Sequence, residues 1–155
     1  MDGCYRRQQY DRRCDCSSCL RWPDASQGNE RLISRDDGVN RCFALFQHDA
    51  DGRTSVGIFI GGTYIFAQGP TNYADGNWHH YTATHDGVTL KLYVDGALEA
   101  SVAAAGPMDN DPVDWEVGRF DSGGGIQYLE GRCNTVRFYN ATLSLAQVQQ
   151  NYQAG

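Results

Sequence analysis

The amino-acid sequence predicts an all-β fold: a two-sheet antiparallel β-sandwich of the jelly-roll type with one short C-terminal helix. From Arg31 onward, short strand-like runs alternate with glycine-containing turns, which is the pattern of hairpin-connected strands. No long stretch carries an apolar period of 3.6 residues before residue 144, so no helix is predicted upstream of it. Strands that are apolar on one face can bury those faces by packing as two sheets.

The turns and strands follow one another in a regular order. Hairpin turns need positive φ angles that glycine tolerates, and four such pairs separate strand-like runs: Asp51-Gly52, Gly61-Gly62, Asp86-Gly87 and Asp95-Gly96. Residues 78–103 are predicted to form a three-stranded meander, in which Leu90, Leu92 and Val94 share one face of the middle strand. Further strands are predicted at residues 31–35, 41–48, 54–60, 63–68, 115–120 and 132–139.

One helix is predicted near the C-terminal end of the chain. Ser144 and Gln147 form a capping box, and Leu143 and Val148 take the positions of a hydrophobic staple. A helix of about two turns is unstable alone in water, so we expect its apolar face to pack against the sandwich.

Length and composition restrict the classes of function. The chain has 155 residues, of which 41% are hydrophobic, and we treat residues 1–155 as one domain with an ordinary core. The formal net charge is −6 and Lys91 is the single lysine, so no nucleic-acid partner is predicted, because nucleic acid requires a basic surface. No apolar run approaches the roughly 18–20 residues of a transmembrane helix, so no membrane insertion is predicted.

The cysteines allow two interpretations. The chain has six, an even number that permits full pairing in an oxidising compartment, with fifteen connectivities that the sequence does not distinguish. Alternatively, a structural zinc ion could be held by the four that crowd the first 19 residues, which are Cys4, Cys14, Cys16 and Cys19. Structural zinc sites usually have two knuckles of the C-x-x-C type. Only half of this set resembles one, so zinc is the less favoured interpretation.

Four segments carry a resemblance to a known family. They lie at residues 31–36, 76–87, 90–96 and 129–140, and the last is followed by the helix start. In this order they resemble the laminin-G-like domains of the concanavalin A-like lectin/glucanase superfamily, in the form common in secreted bacterial proteins. The resemblance covers residues 30–155. It implies a concanavalin A-like jelly roll, an extracellular or secreted location, and a role in binding glycans or proteins. The arginine-rich start lacks the apolar stretch of a secretory signal, so no export signal is predicted in this chain.

The first 24 residues depart from the family pattern. Family members usually begin with apolar strands, whereas residues 1–24 are rich in cysteine and arginine and show little alternation. We therefore expect the usual strands of the second sheet to be incomplete there. Because an unpaired strand edge invites another chain, homo-oligomerisation through this N-terminal edge is predicted.

No catalytic residues are predicted. Glucanases of this superfamily carry a Glu-x-Asp-x-Glu strand, and no segment here matches it. Glycoside hydrolysis needs two carboxylates facing one sugar bond, but the nearest pair, Asp114 and Glu116, follows Pro112 in a loop that enters a strand. His79 and His80 are neighbours on a strand, so they point to opposite faces and are interpreted as structural. The chain is predicted not to be an enzyme, and a glucanase-type glycoside hydrolase is the third hypothesis.

Calcium is the candidate cofactor. Hard cations take carboxylate and carbonyl ligands from loops, and family members often hold one ion at a loop rim. Carried over by position, the resemblance places candidate ligands in the loop before the third strand and in the loop after Val117-Gly118. These residues are Asp36, Asp37, Asn40, Asp121 and Gln127. The alternative, in which these side chains only solubilise turns, stays open.

Aromatic residues beside polar ones form the candidate ligand site. Aromatic faces stack on sugar rings while amides and carboxylates fix the hydroxyls. The aromatic residues at loops or strand ends are Tyr64, Tyr73, Trp115, Phe120 and Tyr128. The leading hypothesis is a non-catalytic recognition module that binds carbohydrate or a glycosylated surface through these rim loops, with calcium as an aid. The alternative is a structural or adhesion domain that binds another protein or another copy of itself.

Overall fold

The computed structural model describes residues 15–21, 30–47, 51–121 and 126–155. Within these ranges lie twelve strands and one helix. In chain order they are β1 (Asp15–Arg21), β2 (Arg31–Asp36), β3 (Arg41–Gln47), β4 (Arg53–Ile60), β5 (Thr63–Asn72), β6 (Trp78–His85), β7 (Thr89–Val94), β8 (Ala97–Ala103), β9 (Glu116–Val117), β10 (Arg119–Asp121), β11 (Ile126–Tyr128), β12 (Arg132–Tyr139) and α1 (Leu145–Gln153).

Ten of these strands form two sheets, which we call the back sheet and the front sheet. The back sheet has the order β12-β1-β6-β7-β8 and the front sheet the order β5-β4-β3-β2-β9, while β10 and β11 pair separately. Every one of these strand pairs is antiparallel. The predicted all-β, two-sheet antiparallel sandwich with one short C-terminal helix is therefore confirmed.

The hydrophobic core brings together side chains from both sheets. Leu45, Val56 and Ile58 enter it from the front sheet, and Leu90 and Leu92 from the back sheet, all of them fully buried. Burial of one aliphatic side chain contributes about 1.5–3 kcal/mol, so this cluster holds the two sheets together. Because side chains alternate along a strand, the chain neighbours of these front-sheet residues point away from the core. These neighbouring residues form the outer face of the front sheet.

The glycine turns predicted from the sequence are confirmed. Gly52, Gly61, Gly62, Gly87 and Gly96 have φ angles between 57° and 88°, a region that side chains with a β-carbon rarely adopt. The meander follows from the last two of these turns, since β6, β7 and β8 are consecutive neighbours in the back sheet.

Strand β1 corrects the expectation of an unpaired N-terminal edge. Residues 15–21 pair with β12 on one side and with β6 on the other, so this strand lies inside the back sheet and offers no free edge for a second copy. Apolar and polar residues alternate only weakly in this strand. Strand pairing is nevertheless made by backbone N–H and C=O groups, and those of β1 find partners in both neighbouring strands. The remaining residues of the cysteine-rich start, 1–14 and 22–24, lie outside the described ranges.

The predicted strand at 115–120 is interrupted. Gly118 has a φ angle of 68°, and it separates β9, which pairs with β2, from β10, which pairs with β11. The amide of Gly118 donates to the carbonyl oxygen of Leu32 at 2.9 Å. This bond ties the turn to the front sheet and sends Phe120 back toward Arg31.

Helix α1 begins as predicted. Ser144 is its N-cap, and the reciprocal capping box with Gln147 is present. Val148 is buried against Tyr93 and Leu143, so the helix packs on the outer face of the back sheet. At nine residues, the one helix in the described ranges falls short of the length and apolarity needed to cross a membrane.

Candidate functional site

A pocket of about 400 Å³ opens on the outer face of the front sheet. We call it the aromatic pocket. It is lined by Arg31, Asp36, Arg41, Phe46, Phe59, Gly62 and Tyr64. These residues come from β2, β3, β4, β5 and the β4–β5 turn, so a single sheet and one of its hairpins build the site.

The aromatic wall of the pocket is formed by facing residues of β4 and β5. Phe59 and Tyr64 are direct cross-strand partners, and their ring centroids are 4.9 Å apart. Tyr64 also stacks on Phe66, with the centroids 5.6 Å apart and the ring planes inclined by 15°. The exposed fraction of Tyr64 is 39%, so this ring is supported from the side and still open to solvent.

Gly57 makes room for the Tyr64 ring. A β-carbon built on Gly57 would overlap the Oη, Cε2 and Cζ atoms of Tyr64. The phenol therefore lies across the strand in the place that a side chain at position 57 would take. A glycine inside a strand usually marks such a close approach.

The charged side of the pocket contains two arginines and one carboxylate. Asp36 is held between them, with Arg31 Nη2 at 3.6 Å from its Oδ2 and Arg41 Nε at 3.5 Å from its Oδ1. The same Oδ1 accepts a hydrogen bond from the amide of Gly38 at 2.8 Å. The side chain of Asp36 is 4% exposed, so its charge sits at the base of the pocket.

Arg31 is fixed by two aromatic rings. Its guanidinium carbon lies 4.9 Å from the ring centroid of Phe46 and 4.1 Å from that of Phe120, and a cation over a ring face is attracted by about 0.5–2 kcal/mol. Burial lowers the pKa of Arg31 and the neighbouring Asp36 opposes this shift. An arginine stays protonated in proteins, so a positive charge is held in the wall of the pocket.

Tyr64 contributes a neutral hydroxyl. Burial raises the pKa of its phenol, which the nearby Arg31 partly offsets. The hydroxyl therefore stays protonated at neutral pH, where it can both donate and accept a hydrogen bond.

The turn between β4 and β5 is anchored by Asp109. Its two carboxylate oxygens accept hydrogen bonds from the amides of Gly61 and Gly62 at 2.7 and 2.8 Å. The amide of Asp109 donates to the carbonyl oxygen of Phe59 at 2.7 Å. These three bonds position the strand ends that carry Phe59 and Tyr64.

The five aromatic residues predicted as ligand contacts are separated in the structure. Tyr64 lines the aromatic pocket, and Phe120 lies behind it under Arg31. Tyr73 donates from its hydroxyl to Glu99 Oε2 at 3.0 Å and packs against the core. Trp115 packs between Phe43 and Phe138, and Tyr128 on β11 is 64% exposed and does not line the aromatic pocket.

The predicted calcium ligands lie in two places, and their carboxylates already have partners. In the β2–β3 turn, Asp37 accepts hydrogen bonds from the amides of Val39 and Asn40 and from Asn40 Nδ2, at 2.6–3.0 Å. The bonds from Asn40 are the largest cause that lowers the pKa of Asp37. Asp36 is held by the arginines as described above.

The other two candidates lie on the two-stranded sheet. Asp121 Oδ2 is 3.4 Å from Arg119 Nη2, and the backbone of Gln127 pairs with Phe120. Among the residues that the structure describes, no group of three or more histidine, cysteine, aspartate or glutamate side chains is arranged to hold a metal ion. Calcium binding stays a prediction.

The candidate zinc ligands are only partly placed. Cys16 and Cys19 belong to β1, whereas Cys4 and Cys14 lie outside the described residues. Cys42 is buried on β3, and its sulfur accepts a hydrogen bond from the amide of Asp111 at 3.2 Å. Zinc binding is therefore also left as a prediction.

His79 and His80 take opposite sides of β6. His79 contacts the rings of Tyr73 and Tyr81, whereas His80 faces Tyr152 of the helix. Nδ1 of His79 lies 2.8 Å from Asp95 Oδ2, and Nε2 lies 3.0 Å from Asp75 Oδ1. Both ring nitrogens are engaged, which fits the structural interpretation.

Four pocket residues were not singled out from the sequence: Arg31, Arg41, Phe46 and Phe59. A partial signal was present, because antiparallel pairing in the predicted hairpin of 31–35 and 41–48 sets Arg41 beside Asp36 at the turn. Arg31, however, lies at the far end of the hairpin, opposite Phe46. Alternation also places Phe46 and Phe59 opposite the core positions Leu45 and Ile58. The predicted site lies on rim loops, whereas the pocket lies on the outer face of the front sheet.

Comparisons with known proteins agree with this fold. The sequence model of a family described as the concanavalin A-like lectin/glucanases superfamily, Laminin_G_3, matches residues 20–149. No curated protein is similar enough in sequence to count as a match.

Solved structures of binding domains superpose on the chain. The CBM40 of the Ruminococcus gnavus IT-sialidase, which has also been solved bound to α2,3-sialyllactose, gives a TM-score of 0.73 at 15% identity over 90% of this chain and 82% of that one. The binding domain of Paraclostridial Mosquitocidal Protein 1 gives 0.68 at 15% identity over 92% of this chain. The binding domain of Botulinum Neurotoxin DC, in complex with SialylT, gives 0.71 at 8% identity over 95% of this chain.

These likenesses differ in extent. This chain spans 37% of the length of each of the two toxin domains. At identities this low, the similarity shows the fold alone.

Proposed function

Because this chain belongs to the Laminin_G_3 family of the concanavalin A-like lectin/glucanase superfamily, we propose that it is a non-catalytic module that binds carbohydrate. The proposed ligand site is the aromatic pocket on the front sheet. A family that includes both lectins and glucanases leaves binding and cleavage open, so the proposal depends on the chemistry of the pocket itself.

The observation that carries the proposal is the pairing of open aromatic rings with fixed polar groups around one cavity. Phe59 and Tyr64 offer apolar faces to the C–H surface of a sugar ring. Arg31 and Arg41 offer N–H donors to its oxygens. A volume of about 400 Å³ lies within the range of small-molecule sites.

The structural neighbours support carbohydrate as the ligand class. The CBM40 of the sialidase has been solved with α2,3-sialyllactose, and the botulinum domain with SialylT. Both are binding domains that share this fold. The toxin binding domains and the CBM40 among these neighbours also support an extracellular place of action for this chain.

The carboxylates support binding rather than hydrolysis. A glycosidase needs two carboxylates flanking the sugar bond. Among the described residues that line the pocket, Asp36 is the one carboxylate, and it is held by two arginines. Asp114 and Glu116 are the two carboxylates in the sequence that come nearest to the glucanase pattern. Glu116 forms an ion pair with Arg119.

A glycan array followed by calorimetry tests the proposal. We expect the wild-type chain to bind at least one class of glycan, and Tyr64→Ala to weaken that binding by about tenfold or more, since burying an aromatic side chain contributes on the order of 1.5–3 kcal/mol. Tyr128→Ala is the matched control, because it removes an exposed tyrosine outside the pocket.

Two outcomes would count against the proposal. Loss of binding in Tyr128→Ala with full binding in Tyr64→Ala would move the site to the rim loops. The absence of any glycan signal, together with self-association in sedimentation, would favour the structural or adhesion function.

A further inference from the structure

We propose that the aromatic pocket selects sugars that carry a carboxylate, and that Arg31 and Arg41 recognise its charge. The inference rests on the proposed function and narrows its substrate class. Three features of the pocket support it: the charge balance of the lining residues, a buried hydrogen-bond donor without a partner and the rigidity of one guanidinium.

The pocket is locally positive in an acidic protein. Its charged lining residues are two arginines and one aspartate, which leaves one positive charge uncompensated at neutral pH. The whole chain carries a formal charge of −6. A monoanionic ligand would neutralise the pocket, whereas a neutral sugar would leave the excess charge without a partner.

Asp36 does not saturate the arginines. Its distances to their nitrogens, 3.5 and 3.6 Å, are longer than those of good N–H to oxygen hydrogen bonds. Its Oδ1 is also engaged by the Gly38 amide at 2.8 Å. Asp36 therefore balances charge in the base of the pocket and leaves N–H groups available to a second acceptor.

Arg31 has an N–H group that donates no hydrogen bond within the described residues. Its Nε is buried and has no hydrogen-bond partner in the part of the chain that the structure describes. Buried donors are almost always satisfied by protein, water or ligand. Arg31 also lines the pocket, so its guanidinium can meet a further acceptor only where a ligand oxygen reaches the part of the side chain that stays open.

The two arginines have different roles. Arg31, with a side chain that is 13% exposed, is clamped between Phe46 and Phe120 and loses little freedom when it binds. Arg41 is more exposed and donates Nε and Nη2 to the carbonyl oxygen of Gly38 at 3.1 and 2.9 Å. Its remaining nitrogen, Nη1, takes no part in these two bonds, so Arg31 is the fixed anchor and Arg41 the outer contact.

A carboxylate fits this arrangement better than other anions. It is planar and carries one charge, which matches the fork of a guanidinium and the net charge of the pocket. A phosphate with nearly two charges would place excess negative charge beside Asp36. The sugar ring attached to the carboxylate would then lie against Phe59 and Tyr64.

Calorimetry on matched sugar pairs tests the inference. The probes are methyl galactoside against methyl galacturonide, and lactose against 3′-sialyllactose, with 3′-sulfolactose as a further arm. We expect the carboxylated member of at least one pair to bind about tenfold or more tightly, since charge-assisted hydrogen bonds are the strong ones. The preference should shrink as salt is raised, because salt screens exposed charge.

The variants separate charge recognition from folding. Arg41→Gln should reduce the preference to about threefold or less and lower the affinity for neutral sugars by a smaller factor, and Arg31→Lys should retain part of the preference that Arg31→Gln loses. Arg53→Gln is the matched control, because Arg53 pairs with Asp51 outside the pocket. The Arg41 variants keep the test valid if substitution of the clamped Arg31 unfolds the protein.

The failures of the two proposals are distinguishable. Equal affinity for neutral and carboxylated partners, both lost in Tyr64→Ala, overturns the charge selection and leaves the carbohydrate site standing. A preference for 3′-sulfolactose over 3′-sialyllactose overturns the choice of carboxylate. No binding by any probe or by the array overturns both.

Discussion

The phenol of Tyr64 lies across the backbone of Gly57, in the place that a β-carbon at that position would occupy. This relationship ties the aromatic wall of the pocket to a residue that has no side chain. It predicts that the site can be disturbed by the addition of one methyl group outside the pocket lining.

Gly57→Ala should weaken glycan binding by about tenfold while the free energy of unfolding changes by less than about 1 kcal/mol. The atoms that the new methyl group meets are at the far end of Tyr64, so the ring can swing away at modest cost. Alanine is also better than glycine inside a strand, which offsets part of that cost. Calorimetric titration and urea unfolding measure the two quantities.

The double variant Gly57→Ala/Tyr64→Ala provides the control. With the ring absent, alanine at position 57 should have no further effect on binding. If Gly57→Ala still lowers the affinity by several-fold when Tyr64 is already alanine, the effect of Gly57 does not act through Tyr64.

Asp109→Ala should loosen the β4–β5 turn. The variant removes both carboxylate acceptors of the Gly61 and Gly62 amides, and we expect a loss of about 1 kcal/mol in stability because these amides are solvent-exposed. Affinity should fall by about threefold to tenfold, since the strand ends that carry Phe59 and Tyr64 are then less ordered before binding. Asp114→Ala, at an exposed neighbouring position, should change neither quantity.

The His79 cluster should make stability depend on pH in a defined direction. Burial alone would lower the pKa of His79, but hydrogen bonds to Asp95 and Asp75 raise it above the ordinary value. A raised folded pKa means that the protonated form stabilises the fold below the unfolded pKa of about 6.5, and that this contribution is lost as the pH rises through the folded pKa. His79→Gln should therefore lose more stability at about pH 5 than at about pH 9.

Asp75 should make the stability depend on pH in the opposite direction. Hydrogen bonds from Asn77, followed by that from His79, lower its pKa to about 2. Its contribution is present above the unfolded pKa and is lost as the pH falls toward 2. Urea unfolding of wild type and His79→Gln across this range measures both effects, and an equal difference at acid and alkaline pH would contradict the assignment.

If the predicted loop ligands hold calcium, the ion should raise the melting temperature, and an unchanged midpoint would contradict the prediction. Asp37 already accepts three hydrogen bonds and Asp36 is held by two arginines, so an ion would have to displace these partners. A ligand that binds only the native state raises its melting temperature. A reproducible rise in millimolar calcium, reversed by chelator, would show that the loop ligands inferred from the family resemblance are used.

Much of the fold could be predicted because its signals are local. The Asp-Gly pairs at 86–87 and 95–96 set the meander, and Ser144 with Gln147 set the helix start. Strand β1 could not be predicted in the same way. Its residues show little alternation, and its place depends on two partners that are distant in sequence, β6 and β12.

The site was harder to predict because it depends on register. Irregular pairing in the β2–β3 hairpin, between Arg31 and Ile33 and again between Arg35 and Asp36, breaks simple alternation. These shifts bring Arg31, Asp36 and Arg41 to one cavity. Tyr64 could be identified from its type and its place beside a turn, but the charges next to it required the pairing of the strands.

Strand β1 also imposes an order on how the molecule assembles. The meander of β6, β7 and β8 joins neighbours in sequence and can form early, whereas β1 finds its second partner only in β12, near the other end of the chain. Contacts between distant segments slow folding, because a long loop must close before they form. During synthesis, β1 can pair with β6 before β12 has been made. The backbone N–H and C=O groups on its other side are paired only after residues 132–139 have left the ribosome.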